Sequence, residues 1–75
     1  MKNKLMEEMW ESRDIEHIDK MLSILPGYKR NVMTARYIDK LKWEAVEMIY
    51  PYTRDGLMYI NRTAVKTIEK FNRKV

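Results

Sequence analysis

The spacing of apolar residues in the last third of the chain restricts its fold most. Apolar side chains recur there at intervals of three and four residues, at Leu57, Ile60, Ala64, Ile68 and Phe71. This spacing places all five on one face of an α-helix with 3.6 residues per turn. Thr53 can accept a hydrogen bond from a first-turn N–H and is suited to begin that helix. We therefore predict a long helix from Thr53 to about Arg73 with this face buried.

A shorter helix is predicted directly before it, from Trp43 to Tyr50. Trp43, Val46 and either Ile49 or Tyr50 are its buried positions, and Pro51 ends it because proline cannot donate a backbone hydrogen bond. Two helices joined by a tight turn are typical of a helix-turn-helix. The other face of the long helix mixes cations, hydrogen-bonding groups and an aromatic ring, as a groove-reading helix requires. Its residues are Arg54, Asp55, Met58, Tyr59, Arg62, Thr63 and Lys66.

A β-hairpin is the alternative for the same region. Asp55 and Gly56 form a strong two-residue hairpin signal, with residues 50–54 and 57–61 as the strands. Against this, Pro51 would interrupt the first strand, and the helical spacing continues to the end of the region. Against the helix, glycine in its first turn costs about 1 kcal/mol relative to alanine. We favour the helix.

Residues 3–25 are predicted to be helical, with two apolar stripes that are not in phase. A gap of five or six residues separates the stripes, which predicts a bend or break near residues 12–14. Ser12 or Asp14 would cap the second piece.

Pro26 and Gly27 are expected to stop this helical region, and a further helix is predicted from about Tyr28 to Asp39. Together these helices predict an all-α fold, a small bundle of four to five helices with a C-terminal helix-turn-helix.

Methionine and tryptophan are concentrated in the first helix. Met6, Met9 and Trp10 either pack on their own domain or form an adaptable contact for a partner protein or a second copy of the chain. On this basis we divide the chain into a first helix, residues 1–13, and a helix-turn-helix domain, residues 14–75.

Length and composition argue against several function classes. A chain of 75 residues makes one small domain with little room for a catalytic cleft. It has no cysteine, and His17 is its only histidine, so we predict no metal, no cofactor and no enzyme activity. Neither a membrane span nor a signal peptide is visible, and we expect a cytoplasmic protein that does not bind membranes.

Charge is distributed unevenly along the chain. Residues 1–25 carry four basic and six acidic side chains, a balance of −2, whereas residues 26–75 carry eleven and five, a balance of +6. Such a division suggests that the C-terminal two-thirds of the chain binds a polyanion. The alternative is that the positive charge only keeps the protein soluble.

The order and spacing of particular residues between Ile15 and Phe71 resemble region 4 of bacterial sigma factors. They are most similar to small phage and prophage transcriptional regulators of the ArpU type. The residues that carry the resemblance are Leu25-Pro26, Val32, Arg36-Tyr37, Trp43-Glu44, Val46, Tyr52-Thr53, Leu57, Ile60-Asn61 and Ala64-Val65. Glu47 and Pro51 depart from the pattern, and a carboxylate at position 47 should be costly unless it points outward or pairs with a cation.

The resemblance implies a short turn near Lys40 and binding of double-stranded DNA, with the helix from Thr53 in the major groove. RNA polymerase and a second copy of the chain, as a homodimer, are the further partners that we consider. Thr53 would add its hydroxyl to a phosphate contact at the N-terminus of this helix, and Arg54 would bind a phosphate or a guanine edge. Asp55 would accept a hydrogen bond from a cytosine amino group or orient Arg54. The remaining expected DNA contacts are Lys40, Lys42, Tyr59, Arg62 and Lys66.

A second class of function competes with this one. A helical protein-protein interaction module, such as an inhibitor or an assembly adaptor, would act through Met6, Met9 and Trp10 and would bind DNA only weakly.

Overall fold

The computed structural model describes residues 3–72, and this part of the chain is all-helical, as predicted. The helices are α1 (Lys4–Glu11), α2 (Ile15–Leu22), α3 (Gly27–Tyr37), α4 (Trp43–Ile49) and α5 (Arg54–Asn72). None of these helices is both long and apolar enough to cross a membrane.

The predicted break in the N-terminal region lies between α1 and α2. Asp14 caps α2, because its Oδ1 accepts a hydrogen bond from the His17 N–H at 3.1 Å. Ser12 instead accepts from the Asp14 N–H at 3.1 Å and so shapes the connection. Asn3 caps α1 through its Oδ1, which accepts from the Leu5 N–H at 2.8 Å. Local side-chain caps therefore set where both helices begin.

The connections around α3 differ in detail from the prediction. α2 ends at Leu22, before the proline, while Pro26 precedes α3 and Gly27 is its first residue. Proline is favourable at this point, because its missing N–H would have no partner at the start of a helix. α3 ends at Tyr37, and the chain then turns at Lys40, whose φ of 59° lies in the left-handed region. This is the position near Lys40 at which the resemblance implied a short turn.

The hairpin alternative is wrong, because Gly56 lies in the first turn of α5 and the described residues contain no strand. Thr53 acts as the predicted cap, since its Oγ1 accepts from the Gly56 N–H at 3.1 Å. The helix continues to Asn72, and the predicted end at Arg73 lies outside the described residues. α4 and α5 are joined by residues 50–53.

The core consists of two adjoining clusters. The first is shared by α1, α2, α3 and α5, and its buried residues are Met9, Ile18, Leu22, Leu25, Met33, Tyr37, Ala64, Val65 and Ile68. The second joins α3, α4 and α5, and its buried residues are Val32, Ala35, Val46, Leu57 and Ile60. α3 and α5 contribute to both clusters, so they form the centre of the bundle. The break near residue 13 therefore does not separate two cores.

Two of the apolar positions that the sequence analysis considered for burial lie outside these clusters. Phe71 was predicted to be buried, but it is 55% exposed, because the first cluster ends at Ile68 and α5 continues beyond it. Of the two residues left open at the end of α4, Tyr50 packs against the second cluster and Ile49 is exposed.

Candidate functional site

The outward face of α5 carries a row of exposed residues, which we call the basic ridge. Its members follow one another at helical intervals on the side opposite the core, and they are Asp55, Tyr59, Arg62, Lys66 and Lys70. With a rise of 1.5 Å per residue, the row from Tyr59 to Lys70 spans about 16 Å. Three of its members are cations, and the carboxylate of Asp55 lies at the N-terminal end. The ridge is therefore a positive surface on a rigid element.

Two neighbours on the ridge contact each other. The Arg62 guanidinium lies 5.8 Å from the centroid of the Tyr59 ring, which is 56% exposed. A cation at this distance from an exposed aromatic ring is weakly attracted by the ring quadrupole. The Thr63 hydroxyl beside them donates a hydrogen bond to the Tyr59 carbonyl at 2.9 Å, so it is directed toward its own helix. Met58 packs against the second core cluster.

Lys70 is a ridge residue that the sequence analysis did not select. It lies four residues after Lys66 and is exposed. The i, i+4 spacing from Lys66 was the signal that could have identified it.

Arg54, at the start of α5, forms an ion pair with Glu47 of α4. Its Nε donates to Glu47 Oε1 and its Nη2 donates to Glu47 Oε2, both at 3.0 Å. These hydrogen bonds raise the pKa of Arg54. The pair accounts for the carboxylate that the sequence pattern left unexplained, since Glu47 meets a cation. It also ties α4 to α5, and the Arg54 guanidinium is directed to α4 rather than along the ridge.

The two lysines before α4 have different positions. Lys40 Nζ donates to the Met9 carbonyl at 3.1 Å and also to the Trp10 carbonyl, so it binds the C-terminal end of α1. Partial burial, together with the nearby Arg36 cation, lowers the pKa of Lys40. Lys42 is exposed at the residue before α4. Lys40 is therefore engaged inside the fold, and Lys42 remains on the surface.

The methionine and tryptophan residues of α1 pack on their own domain to different degrees. Met9 is 2% exposed and belongs to the first core cluster. The Met6 sulfur accepts from Asn61 Nδ2 at 2.9 Å, and the Trp10 ring lies 3.9 Å from the Arg36 guanidinium. Met6 and Trp10 are both partly buried. Of the three residues, Met9 has almost no surface to offer a partner.

A buried polar pair links α3 to α5. The Tyr37 hydroxyl donates to Asn61 Oδ1 at 2.6 Å, and the two side chains are 3% and 6% exposed. Burial raises the pKa of Tyr37. The signal for this pair was present in the sequence, because Asn61 lies four residues after Leu57 and four before Val65, on the buried face of α5.

The described residues contain no group of three or more metal-ligating side chains, and His17 is exposed. No protein-family model, no curated protein and no solved structure matches this chain. The assignment of a function therefore depends on the residues themselves.

Proposed function

We propose that this protein binds double-stranded DNA through the basic ridge and acts as a sequence-specific transcriptional regulator. The single observation that supports this most is the row of exposed cations on the outward face of α5, next to an exposed aromatic ring. An α-helix fits the major groove of B-DNA, which is about 12 Å wide.

The arrangement of helices is suitable for a helix-turn-helix. α4 and α5 are joined by residues 50–53, and both pack on α3 through the second core cluster. The pairing of Glu47 with Arg54 fixes one helix against the other near this turn. In this proposal α5 is the reading helix, and α3 supports it from behind.

The ridge residues have separate roles in the proposal. Asp55 and Tyr59 lie near the N-terminal end of α5, where a reading helix meets base edges. Asp55 would accept a hydrogen bond from a cytosine amino group, and Arg62, Lys66 and Lys70 would neutralise phosphates. Lys42 would add a phosphate contact beside α4. Thr53 caps α5, and Arg54 holds α4, so both position the reading helix.

The resemblance to sigma factor region 4 supports the regulatory part of the proposal. It adds RNA polymerase as a protein partner and a phage or prophage origin, and it suggests contact with DNA upstream of a promoter. One reading helix gives limited specificity, and docking on polymerase or pairing with a second copy would supply the remaining affinity.

The test is fluorescence anisotropy of a labelled mixed-sequence duplex at about 50 and 200 mM salt. The ridge variant Arg62→Ala/Lys66→Ala is compared with Arg13→Ala/Lys20→Ala, which removes the same two residue types from exposed positions outside α5. We expect the ridge variant to bind about tenfold more weakly or worse, with a salt slope reduced by about 2. The matched control should keep the wild-type slope.

Two results would overturn the proposal. One is the absence of binding by the wild-type protein at low salt. The other is an equal loss of DNA affinity in both double variants, because binding would then depend on the total net charge and not on the position of the ridge. Arg54→Ala should weaken binding less than the ridge variant does, since its guanidinium pairs with Glu47. Selection from a random duplex pool then tests sequence preference, and Asp55→Ala should relax it at one position.

A further inference from the structure

The ion pair of Glu47 and Arg54 joins α4 to the first residue of α5. Arg54 directly precedes Asp55, which is the N-terminal member of the basic ridge. The side chain of Arg54 is 47% exposed and that of Glu47 is 30% exposed, so a ligand in solution can reach both. The pair therefore lies at the edge of the surface that the proposed function assigns to DNA.

The contact between these two side chains is bidentate. Arg54 Nε donates to Glu47 Oε1 and Arg54 Nη2 donates to Glu47 Oε2, each at 3.0 Å. Two parallel hydrogen bonds between a guanidinium and a carboxylate are stronger and more directional than a contact with one oxygen. Glu44, one turn earlier on α4, adds a second negative charge that stabilises the guanidinium. A DNA phosphate that bound Arg54 in place of Glu47 would have to replace both hydrogen bonds.

The other cations of α5 differ from Arg54 in this respect. Within residues 3–72, no carboxylate forms an ion pair with Arg62, Lys66 or Lys70. These three side chains can each neutralise a phosphate without the loss of an existing ion pair. Arg54 would have to lose its pair with Glu47 first, so its charge is the least available to DNA.

We propose that Glu47 is a positioning residue that keeps Arg54 away from the DNA backbone. The pair remains intact in the complex, and Arg62, Lys66 and Lys70 neutralise the phosphates. The affinity for every duplex is then lower than the cations of α5 would allow, and contacts with base edges contribute a larger share of it. This inference rests on the proposed DNA binding and adds a residue of α4 that limits its strength.

The test is the anisotropy titration of the mixed-sequence duplex at about 50 and 200 mM salt with Glu47→Gln, Arg54→Ala and the double variant. Glu47→Gln removes the charge but nearly keeps the shape of the side chain, so Arg54 becomes free to bind a phosphate. We expect it to bind about fivefold more tightly at the lower salt concentration. Its salt slope should be steeper by about 0.9, the value for one additional phosphate.

The double variant separates the ion pair from general charge repulsion. Arg54→Ala should keep the wild-type salt slope, because Arg54 contacts no phosphate in the wild-type complex. The double variant should bind DNA as Arg54→Ala does, because Glu47 acts only through Arg54. Circular dichroism of each variant checks that the helices are intact.

Glu44→Gln is the matched control for the loss of one negative charge. Glu44 is an exposed glutamate of the same helix, whereas both hydrogen bonds of Arg54 are to Glu47. This variant should bind less than about twofold more tightly than wild type. Selection from a random duplex pool should give the same preferred sequence for wild type and Glu47→Gln, because a phosphate contact strengthens binding to all sequences alike.

The proposal is overturned, while DNA binding through the ridge stands, if Glu47→Gln binds no more tightly than wild type and the ridge variant is still weakened. It is equally overturned if Glu44→Gln gives the same gain in affinity, if the gain persists without Arg54, or if the preferred sequence changes. A wild-type protein that does not bind DNA at low salt would overturn the proposed function, and this inference with it.

Discussion

At the scale of single residues, the most informative feature is the polar pair inside the apolar core. Asn61 would be costly at 6% exposure without partners, but Tyr37 donates to its Oδ1, and its Nδ2 donates to the Met6 sulfur. The three residues come from α3, α5 and α1. One hydrogen-bonded contact thus fixes the rotation of α5 relative to two other helices.

Tyr37→Phe tests this contact. At neutral pH it should lower the free energy of unfolding by about 1–2 kcal/mol, because the Asn61 Oδ1 loses its donor. The pH dependence should change as well. Burial raises the pKa of Tyr37 above its usual 10.0, so the folded protein keeps a proton that the unfolded chain releases. The associated stability is complete below pH 10 and is lost as the pH rises above it.

Urea unfolding at pH 7 and at pH 10.5 measures both effects. Wild type should lose more stability between these values than Tyr37→Phe does. Tyr28→Phe serves as the control, because Tyr28 is 52% exposed and should behave as wild type. An identical loss in wild type and Tyr37→Phe would exclude Tyr37 as the titrating group.

At the scale of helices, local signals in the sequence were sufficient to place most boundaries. Thr53 and Asp14 cap the helices that the sequence assigned to them, and Pro51 lies between α4 and α5. These signals act within a few residues, so they are visible without knowledge of the fold. Local signals conflicted at Gly56. Its place in a helix depends on packing that outweighs a local preference for a hairpin turn.

Contacts between helices could not be predicted in the same way. Lys40 was an expected phosphate contact, because the resemblance puts it beside the first helix of the helix-turn-helix. The structure places its Nζ on the carbonyls of Met9 and Trp10, which are about thirty positions earlier in the chain. The pairing of Glu47 with Arg54 could not be predicted either, although the sequence indicated that this carboxylate needed a cation. Both contacts depend on helix orientation, which no local spacing encodes.

Lys40→Met tests the attachment of α1. The substitution keeps a long side chain and the left-handed backbone but removes the donor, so the last carbonyls of α1 lose a charged partner. We expect a loss of about 1–2 kcal/mol and faster hydrogen exchange in α1 than in α5. Lys42→Met is the matched control, because Lys42 is exposed and should leave exchange unchanged. Uniformly faster exchange in all helices would argue against a local attachment.

At the scale of the whole molecule, acidic and basic side chains are concentrated on different helices. Glu7, Glu8 and Glu11 of α1 are exposed, and the cations of α5 form the basic ridge. The uneven charge was visible in the sequence, but the contact of Arg36 with Trp10 and Trp43 was not, because these residues come together only through tertiary packing.

The first core cluster includes residues of α1 and of α5, which predicts that the two helices belong to one folding unit, and Met9→Ala tests this. Met9 is a buried member of the first core cluster, which α1 shares with α2, α3 and α5, so its truncation leaves a cavity in that cluster. A cavity of this kind costs about 2–5 kcal/mol. In so small a domain, that is a large part of the total stability. We therefore expect one cooperative transition, shifted to a much lower urea midpoint.

Met48→Ala is the matched control, because Met48 is 88% exposed and its truncation should change stability by less than about 0.5 kcal/mol. Circular dichroism and tryptophan fluorescence should follow the same curve in each variant, since Trp10 and Trp43 lie on α1 and α4. If the fluorescence of Met9→Ala changed well before its helicity, α1 would be separating from an intact remainder. The methionine and tryptophan side chains of α1 would then be accessible to a partner protein.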